Sequence, residues 1–210
     1  QRAVNEWDPV TNSTTQYVRN ASSSKSYGAE LELSWAAWEG MVFNVSAAYL
    51  NSKYDEYEIL EGVTSGPNAG QAVNVDHSDE NAPLAPEYTL SIGATQFVQT
   101  SLGEVELHAD YAWVDQTWFA DSTVVLEESE AVQAQQREAQ KYWAIPSYGL
   151  LSAVARLRTN DERWEFSVWG RNLADEDYFT GAANFYTAFG TASWFEGEPR
   201  TYGASVRYNW

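Results

Sequence analysis

Cysteine is missing from all 210 residues, so neither a disulfide framework nor a thiolate metal site can form. Basic residues are scarce: 12 Lys and Arg stand against 30 Asp and Glu, a formal charge of −18. A surface that acidic repels nucleic-acid phosphates, which excludes DNA and RNA as partners. No run approaches the roughly 20 consecutive apolar residues that a membrane-crossing helix requires. That excludes helical spans only, because a transmembrane strand crosses with about 9–11 residues that alternate apolar with polar. The mean hydropathy of −0.47 suits either a soluble protein or a strand-built wall.

Catalytic signatures are absent as well. The two histidines, His77 and His108, lie far apart and outside any HExxH pattern, so a zinc hydrolase lacks its ligands. There is no GxSxG elbow and no GxxxxGK[ST] phosphate loop. Acidic pairs such as Glu30 with Glu32 and Glu104 with Glu106 share one strand face at about 7 Å, a spacing that glycosidase carboxylates also use. Repeated alternating acids are nonetheless the pattern of a solvated face. "NVDHSDEN", from Asn74, offers several oxygen ligands without the EF-hand spacing. The expectation is no enzyme, no cofactor and no resident metal.

What the chain has in excess is aromatic: 10 Trp, 13 Tyr and 8 Phe. It also alternates with period two almost throughout. In "GEVELHADYAW", Val105, Leu107, Ala109, Tyr111 and Trp113 share one face, while Glu104, Glu106, His108 and Asp110 share the other. Phe43, Val45, Ala47 and Tyr49 oppose Asn44, Ser46 and Ala48, and Trp164, Phe166 and Val168 oppose Glu165 and Ser167. The pattern predicts strands at about 14–36, 41–56, 85–98, 103–119, 146–159, 162–177 and 199–210. "NASSSKS" within the first is a place where it bends or breaks, which would make the total eight.

Connections alternate between short and long. Turns of a few residues lie near Glu39, Ser101 and Asp161, whereas roughly 20–30 residues separate Asp55 from Pro83, Ala120 from Ala144 and Asp177 from Glu198. Helix-forming composition occurs once, in "TVVLEESEAVQAQQREAQKYW". Short turns at one end and long loops at the other describe a bacterial outer-membrane barrel, with turns in the periplasm and loops outside. Aromatic residues near strand ends, among them Tyr54, Tyr57, Trp118, Phe119, Tyr148, Tyr178, Tyr208 and Trp210, suit interfacial girdles. Charges of both signs on the polar faces, including Glu30, Glu32, Asp110, Glu165, Arg171 and Arg207, suit a wet lumen. Two rivals stay open on these residues: a soluble aromatic-rich carbohydrate-binding β-sandwich, and a small autonomous barrel of eight strands.

"GRNLADEDY", from Gly170 to Tyr178, followed by "GEPRTYGASVRY" from Gly197, resembles the carboxy-terminal barrel region of TonB-dependent outer-membrane receptors. "NASSSKSYGAELEL", "AAYLNSKYDEY", "NAPLAPEYTLSIG" and "IPSYGLLSAVARL" resemble further parts of that barrel in the same order. The matching motif residues are Gly170, Asn172, Leu173, Asp175, Tyr178, Pro199 and Arg200.

The resemblance implies an all-β fold: an antiparallel transmembrane β-barrel segment of about seven strands, spanning 1–210 as the carboxy-terminal portion of the barrel. The plug domain, and the segment through which such receptors contact the TonB complex, would lie outside these residues. It implies an energy-coupled importer in the bacterial outer membrane, with a ferric siderophore or similar metal chelate as ligand. Outer-membrane lipid and lipopolysaccharide would surround the wall. Val206, Tyr208 and Trp210 would form the ending that the barrel-assembly machinery reads. "GRNLADEDY" would fill the penultimate strand. Trp118, Trp143, Phe185, Tyr186, Phe189, Trp194 and Phe195, on or beside the long loops, would be the aromatics of the ligand mouth.

Overall fold

The computed structural model describes residues 2–8, 13–19, 23–78, 80–119, 123–185 and 190–210. Seven strands form one antiparallel sheet in which every strand pairs with its neighbours in sequence. In chain order the elements are β1 (Arg2–Asp8), β2 (Ser13–Arg19), β3 (Ser23–Trp38), β4 (Met41–Glu56), β5 (Glu58–Gly62), β6 (Ala72–Asp76), β7 (Tyr88–Gln99), β8 (Gly103–Val114) and β9 (Thr117–Trp118). Then follow α1 (Glu130–Gln140), β10 (Ala144–Ile145), β11 (Tyr148–Thr159), β12 (Trp164–Arg171), β13 (Phe179–Phe185), β14 (Thr191–Glu196) and β15 (Thr201–Tyr208). The large sheet runs β3, β4, β7, β8, β11, β12, β15 and is open, with β3 and β15 at its edges.

Register follows from the alternation, because a slip of one residue turns every apolar side chain to the opposite face. Trp35, Phe43, Ala94, Ala109, Ala153, Gly170 and Tyr202 lie opposite one another across all seven strands. Leu33, Val45, Ile92, Tyr111 and Leu151 form the next row of the same face. The other face is polar: Ser34, Asn44, Gly93, Asp110 and Ser152 lie in one row. Toward the tight turns, Glu104, Arg158, Glu165 and Arg207 alternate in sign from strand to strand. Arg156 adds an ion pair to Glu106 at 2.5 Å, and Arg158 reaches Glu165 at 3.5 Å.

Aromatic rings collect at both ends of the apolar face. At the tight turns Trp35 and Trp38 pack on Phe43, and Trp164 packs on Phe166 and Tyr208. Toward the long loops are Tyr27, Tyr49 and Tyr88, the last two 5.2 Å apart. Tyr27 and Trp35 are eight residues apart on β3, about 26 Å along a strand. At a barrel's usual tilt that is about 20 Å of height, close to the ~25 Å apolar band of a transmembrane barrel. Tyr54 and Tyr57 do not join this girdle; they pack on each other at the base of a loop, where Tyr57 is buried.

Several expected boundaries move. The strand expected at 14–36 begins at Ser23, and Ser13–Arg19 pairs instead with Arg2–Asp8 in a separate hairpin. The strand expected to reach 177 stops at Arg171, because Asn172 and Asp175 take left-handed backbone conformations with φ of 48° and 59°. The one expected helix is α1, within the second long connection. The sheet is neither a closed eight-stranded barrel nor one layer of a sandwich of comparable sheets.

The two faces are expected to respond oppositely to charge. Replacing Leu107 or Val168 with Arg, near mid-height of the apolar face, should cost about 2–4 kcal/mol in reversible urea unfolding from lipid vesicles. Ser205→Arg, on the polar face, should cost under about 1 kcal/mol. The reverse order would invert the assignment of the faces.

Candidate functional site

The long connections fold, and every hydrophobic side chain that is fully buried among the described residues belongs to them. The sheet itself has no such core, since each of its faces is open. In the first connection β5 and β6 form a hairpin. Val63 and Val75 from that hairpin enclose Val125 of the second connection. Each such side chain contributes about 1.5–3 kcal/mol on full burial.

Glu128 ties the same two connections together. Its Oε1 accepts from the Thr64 N–H and hydroxyl at 2.7 and 2.8 Å, and its Oε2 from the Ser65 N–H and hydroxyl at 2.8 and 2.5 Å. Burial opposes ionisation of this carboxyl, but the Ser65 and Thr64 donors outweigh it and hold Glu128 below its ordinary 4.5.

Beside this clasp lies His77, 5% exposed, with Nε2 2.8 Å from Glu61 Oε1 and Nδ1 2.7 Å from Glu80 Oε1. Thr123, from the second connection, donates to the same Glu80 oxygen at 2.8 Å. Burial works against a charged ring, yet hydrogen bonds to Glu61 and Glu80 prevail and push His77 from 6.5 up to about 9. Sequence reasoning missed both clusters. The available signal was His77 itself, a lone base inside the acidic stretch "NVDHSDEN" and three residues before Glu80. Among the described residues no group of three or more His, Asp or Glu converges as metal ligands.

The expected mouth aromatics separate into small groups. Trp118 lies in β9 opposite Ala144, and its carbonyl accepts the Leu84 N–H at 2.7 Å. Trp143 stacks on Phe119 with ring centres 6.2 Å apart. Trp194, in β14, packs between Tyr142 at 5.7 Å and Phe179 at 5.2 Å, joining the second and third connections. Phe185 and Phe195, on β13 and β14, are exposed. Tyr186 and Phe189 lie outside the described residues.

"GRNLADEDY" builds a corner between β12 and β15 rather than a strand. Asn172, 4% exposed, accepts the Glu176 N–H at 2.8 Å and donates to the carbonyls of Glu176 at 2.9 Å and Glu198 at 3.2 Å. Leu173 folds back over Gly170, where a Cβ would meet its Cδ2 at 2.5 Å. Its N–H bonds the Leu151 carbonyl at 2.8 Å. Asp175 pairs with Arg200 at 3.0 Å, beyond Pro199 and just before β15. Tyr178 stacks on Tyr148 at 4.7 Å and lies so close to Gly197 that a Cβ there would sit 2.1 Å from its ring. The motif therefore aims the last strand back along β12.

That strand ends earlier than its alternation suggests. Val206 lies opposite Phe166 and Tyr208 opposite Trp164, but β15 stops at Tyr208. Asn209 still donates to the Arg163 carbonyl at 2.8 Å, and Trp210 stands fully exposed with its edge toward Tyr208.

Against this geometry, a family model described as TonB dependent receptor-like, beta-barrel, matches residues 4–173. The chain belongs to the TonB-dependent receptor β-barrel family. No curated protein matches it. Among solved structures it is similar to the ferric yersiniabactin uptake receptor FyuA from Yersinia pestis, at 17% identity and TM-score 0.63, covering 90% of this chain and 24% of that one. It is similar to the ferric preacinetobactin receptor BauA from Acinetobacter baumannii, at 17% identity and TM-score 0.55, covering 99% and 25%. The ferripyoverdine receptor of the outer membrane of Pseudomonas aeruginosa matches at 19% identity and TM-score 0.55, covering 99% and 23%.

At these identities the likeness is one of fold, and the chain spans about a quarter of the solved receptors. The sheet of this TonB-dependent receptor chain is thus an arc of an outer-membrane barrel wall. Its apolar face lies toward lipid, its polar face toward the lumen, its tight turns in the periplasm and its long connections outside.

Removing the corner's anchors should weaken the wall at its last strand. Asn172→Ala strands buried partners and is expected to destabilise the folded barrel by about 1–3 kcal/mol, read as the heat-resistant fraction on a denaturing gel. Gly197→Ala should lower that fraction too, by displacing Tyr178. Unchanged fractions for both would leave the motif without a structural role.

Proposed function

We propose that this chain supplies wall and outer loops to an energy-coupled outer-membrane receptor that imports a ferric siderophore or a chemically similar metal chelate. The observation that carries the reading is the seven-stranded arc with opposed apolar and polar faces, in a chain whose family is the TonB-dependent receptors. The receptors it resembles in fold are receptors for ferric yersiniabactin, ferric preacinetobactin and ferripyoverdine. Residues 1–210 act in this reading as one carboxy-terminal barrel unit. A plug and the contact with the TonB complex are contributed by residues outside it.

Each part of the chain has a task in that scheme. The apolar face meets lipid and lipopolysaccharide, and Val206, Tyr208 and Trp210 present the ending to the barrel-assembly machinery. The loops border the mouth, where exposed Phe185 and Phe195 and the Phe119–Trp143 stack offer flat faces to an aromatic or macrocyclic chelator. Transport, not catalysis, is the task of these residues.

The test is iron uptake by cells whose only high-affinity receptor is the full-length protein carrying this chain. A panel of ferric siderophores should identify at least one that supports growth under iron limitation and whose uptake stops when TonB is removed. For that ligand, Phe195→Ala or Trp143→Ala should raise Kd about 2- to 12-fold, the equivalent of 0.5–1.5 kcal/mol for one lost ring contact. Growth that no metal chelate supports would refute the import reading. An unchanged Kd in every aromatic variant would remove these residues from the mouth.

A further inference from the structure

We propose that Glu61, His77 and Glu80 form a proton-dependent latch that fastens the second outer loop onto the first. Both ring nitrogens of His77 face carboxylate oxygens within 2.8 Å. An ionised carboxylate only accepts, so both nitrogens must carry hydrogen, and the imidazolium is the one form of the ring that does. The neutral ring would turn a lone pair toward Glu61 or Glu80 in a buried position, where an unmatched contact of that kind is costly.

The latch reaches both loops. Glu61 ends the β5 side of the first hairpin, and His77 and Glu80 follow β6. Thr123, at the start of the described part of the second loop, donates to the same Glu80 oxygen that pairs with Nδ1. The His77 N–H bonds the Tyr57 carbonyl at 2.7 Å, and the Tyr57 ring lies 5.6 Å from the imidazole. Among the described residues Asp76 is a further charged neighbour, and its carboxylate is held by the Ser78 N–H at 2.9 Å. Glu61 and Glu80 are, among the described residues, the carboxylates in contact with the ring. Val63, Val75 and Val125 and the Glu128 clasp lie in the same loop pair, so a release at His77 loosens a unit and not a single side chain.

The direction of the pH effect follows. The folded ring binds its proton more tightly than an unfolded histidine, about 9 against 6.5. The latch is therefore complete below about pH 6.5, weakens above it, and is lost as pH rises through about 9. Opening should become more favourable by up to about 300-fold once pH has risen past both values.

Hydrogen–deuterium exchange of the full-length receptor in outer-membrane vesicles reads the opening, with rates corrected for the intrinsic effect of pH against peptides of the strand wall. Segments 58–64, 72–78 and 123–129 should lose protection together, with a midpoint near pH 9. Glu61→Gln, which lets a neutral ring accept from the new amide, should flatten the pH dependence, so that the loops stay docked at neutral pH and keep their protection as pH rises through about 9. Because the chain has no cysteine and the Ser65 and Ser129 hydroxyls are 2.8 Å apart, Ser65→Cys with Ser129→Cys should form a disulfide that keeps protection at every pH. Wild-type protection that does not change between pH 6 and 10, or a pH dependence that Glu61→Gln leaves in place, would overturn the latch. That the fastened loops cover a ligand mouth rests on the proposed import function. The exchange experiment does not use a ligand, so its failure and the failure of the import reading are separate results.

Discussion

A wall one sheet thick, with lipid on one side and water on the other, has no interior, and that constraint governs the rest of this structure. Every backbone N–H and C=O within the bilayer must find a partner in a neighbouring strand, since lipid offers none. Strand pairing then fixes which side chains share a row, and two different solvents decide which residues each row carries. The row from Trp35 to Tyr202 and the row from Glu104 to Arg207 are the two answers on opposite faces of one sheet.

Packing that a soluble domain would place between layers is displaced to the outer loops. Val63, Val75, Val125, Ile145 and Ala182 are buried there, while Leu31, Leu107, Val168 and Val206 on the wall stay open to their surroundings. Among the described residues the buried polar groups likewise lie outside the seven wall strands: His77, Glu80, Thr117 and Glu128 in the loops and Asn172 at the corner. Water surrounds this outer region, so burial and hydrogen bonding stabilise it as they stabilise a small globular protein. Glu128 ties it together by hydrogen bonds from Thr64 and Ser65, and His77 by contacts with Glu61 and Glu80, whereas the wall depends on alternation and pairing.

Much of the wall was legible from alternation because period two is a local property: Leu107 and Glu106 reveal opposite faces without reference to any other strand. The tight turns and the helix were legible for the same reason, from short runs of turn-forming or helix-forming residues. The loop architecture was not. The β5–β6 and β13–β14 hairpins, and the grip of Glu128 on Thr64 and Ser65, join segments whose spacing follows no period. The end of β12 has only a weak mark in the pattern, Asn172 falling on the parity of Phe166 and Val168; the left-handed backbone at Asn172 and Asp175 that stops the strand is not encoded by alternation. Of the expected mouth residues, Trp143 and Trp194 proved to be partners of other rings, a contact that sequence spacing does not encode.

Because the two faces of the arc meet different solvents, they should differ in reactivity toward a reagent confined to water. In the full-length receptor, single cysteines placed in turn at positions 104 to 113 of β8 would be reacted in intact outer membranes with a water-soluble thiol reagent that does not enter lipid. Strong labelling is expected at 104, 106, 108 and 110 and weak labelling at 105, 107, 109 and 111. Uniform labelling along the strand, or the opposite alternation, would contradict it.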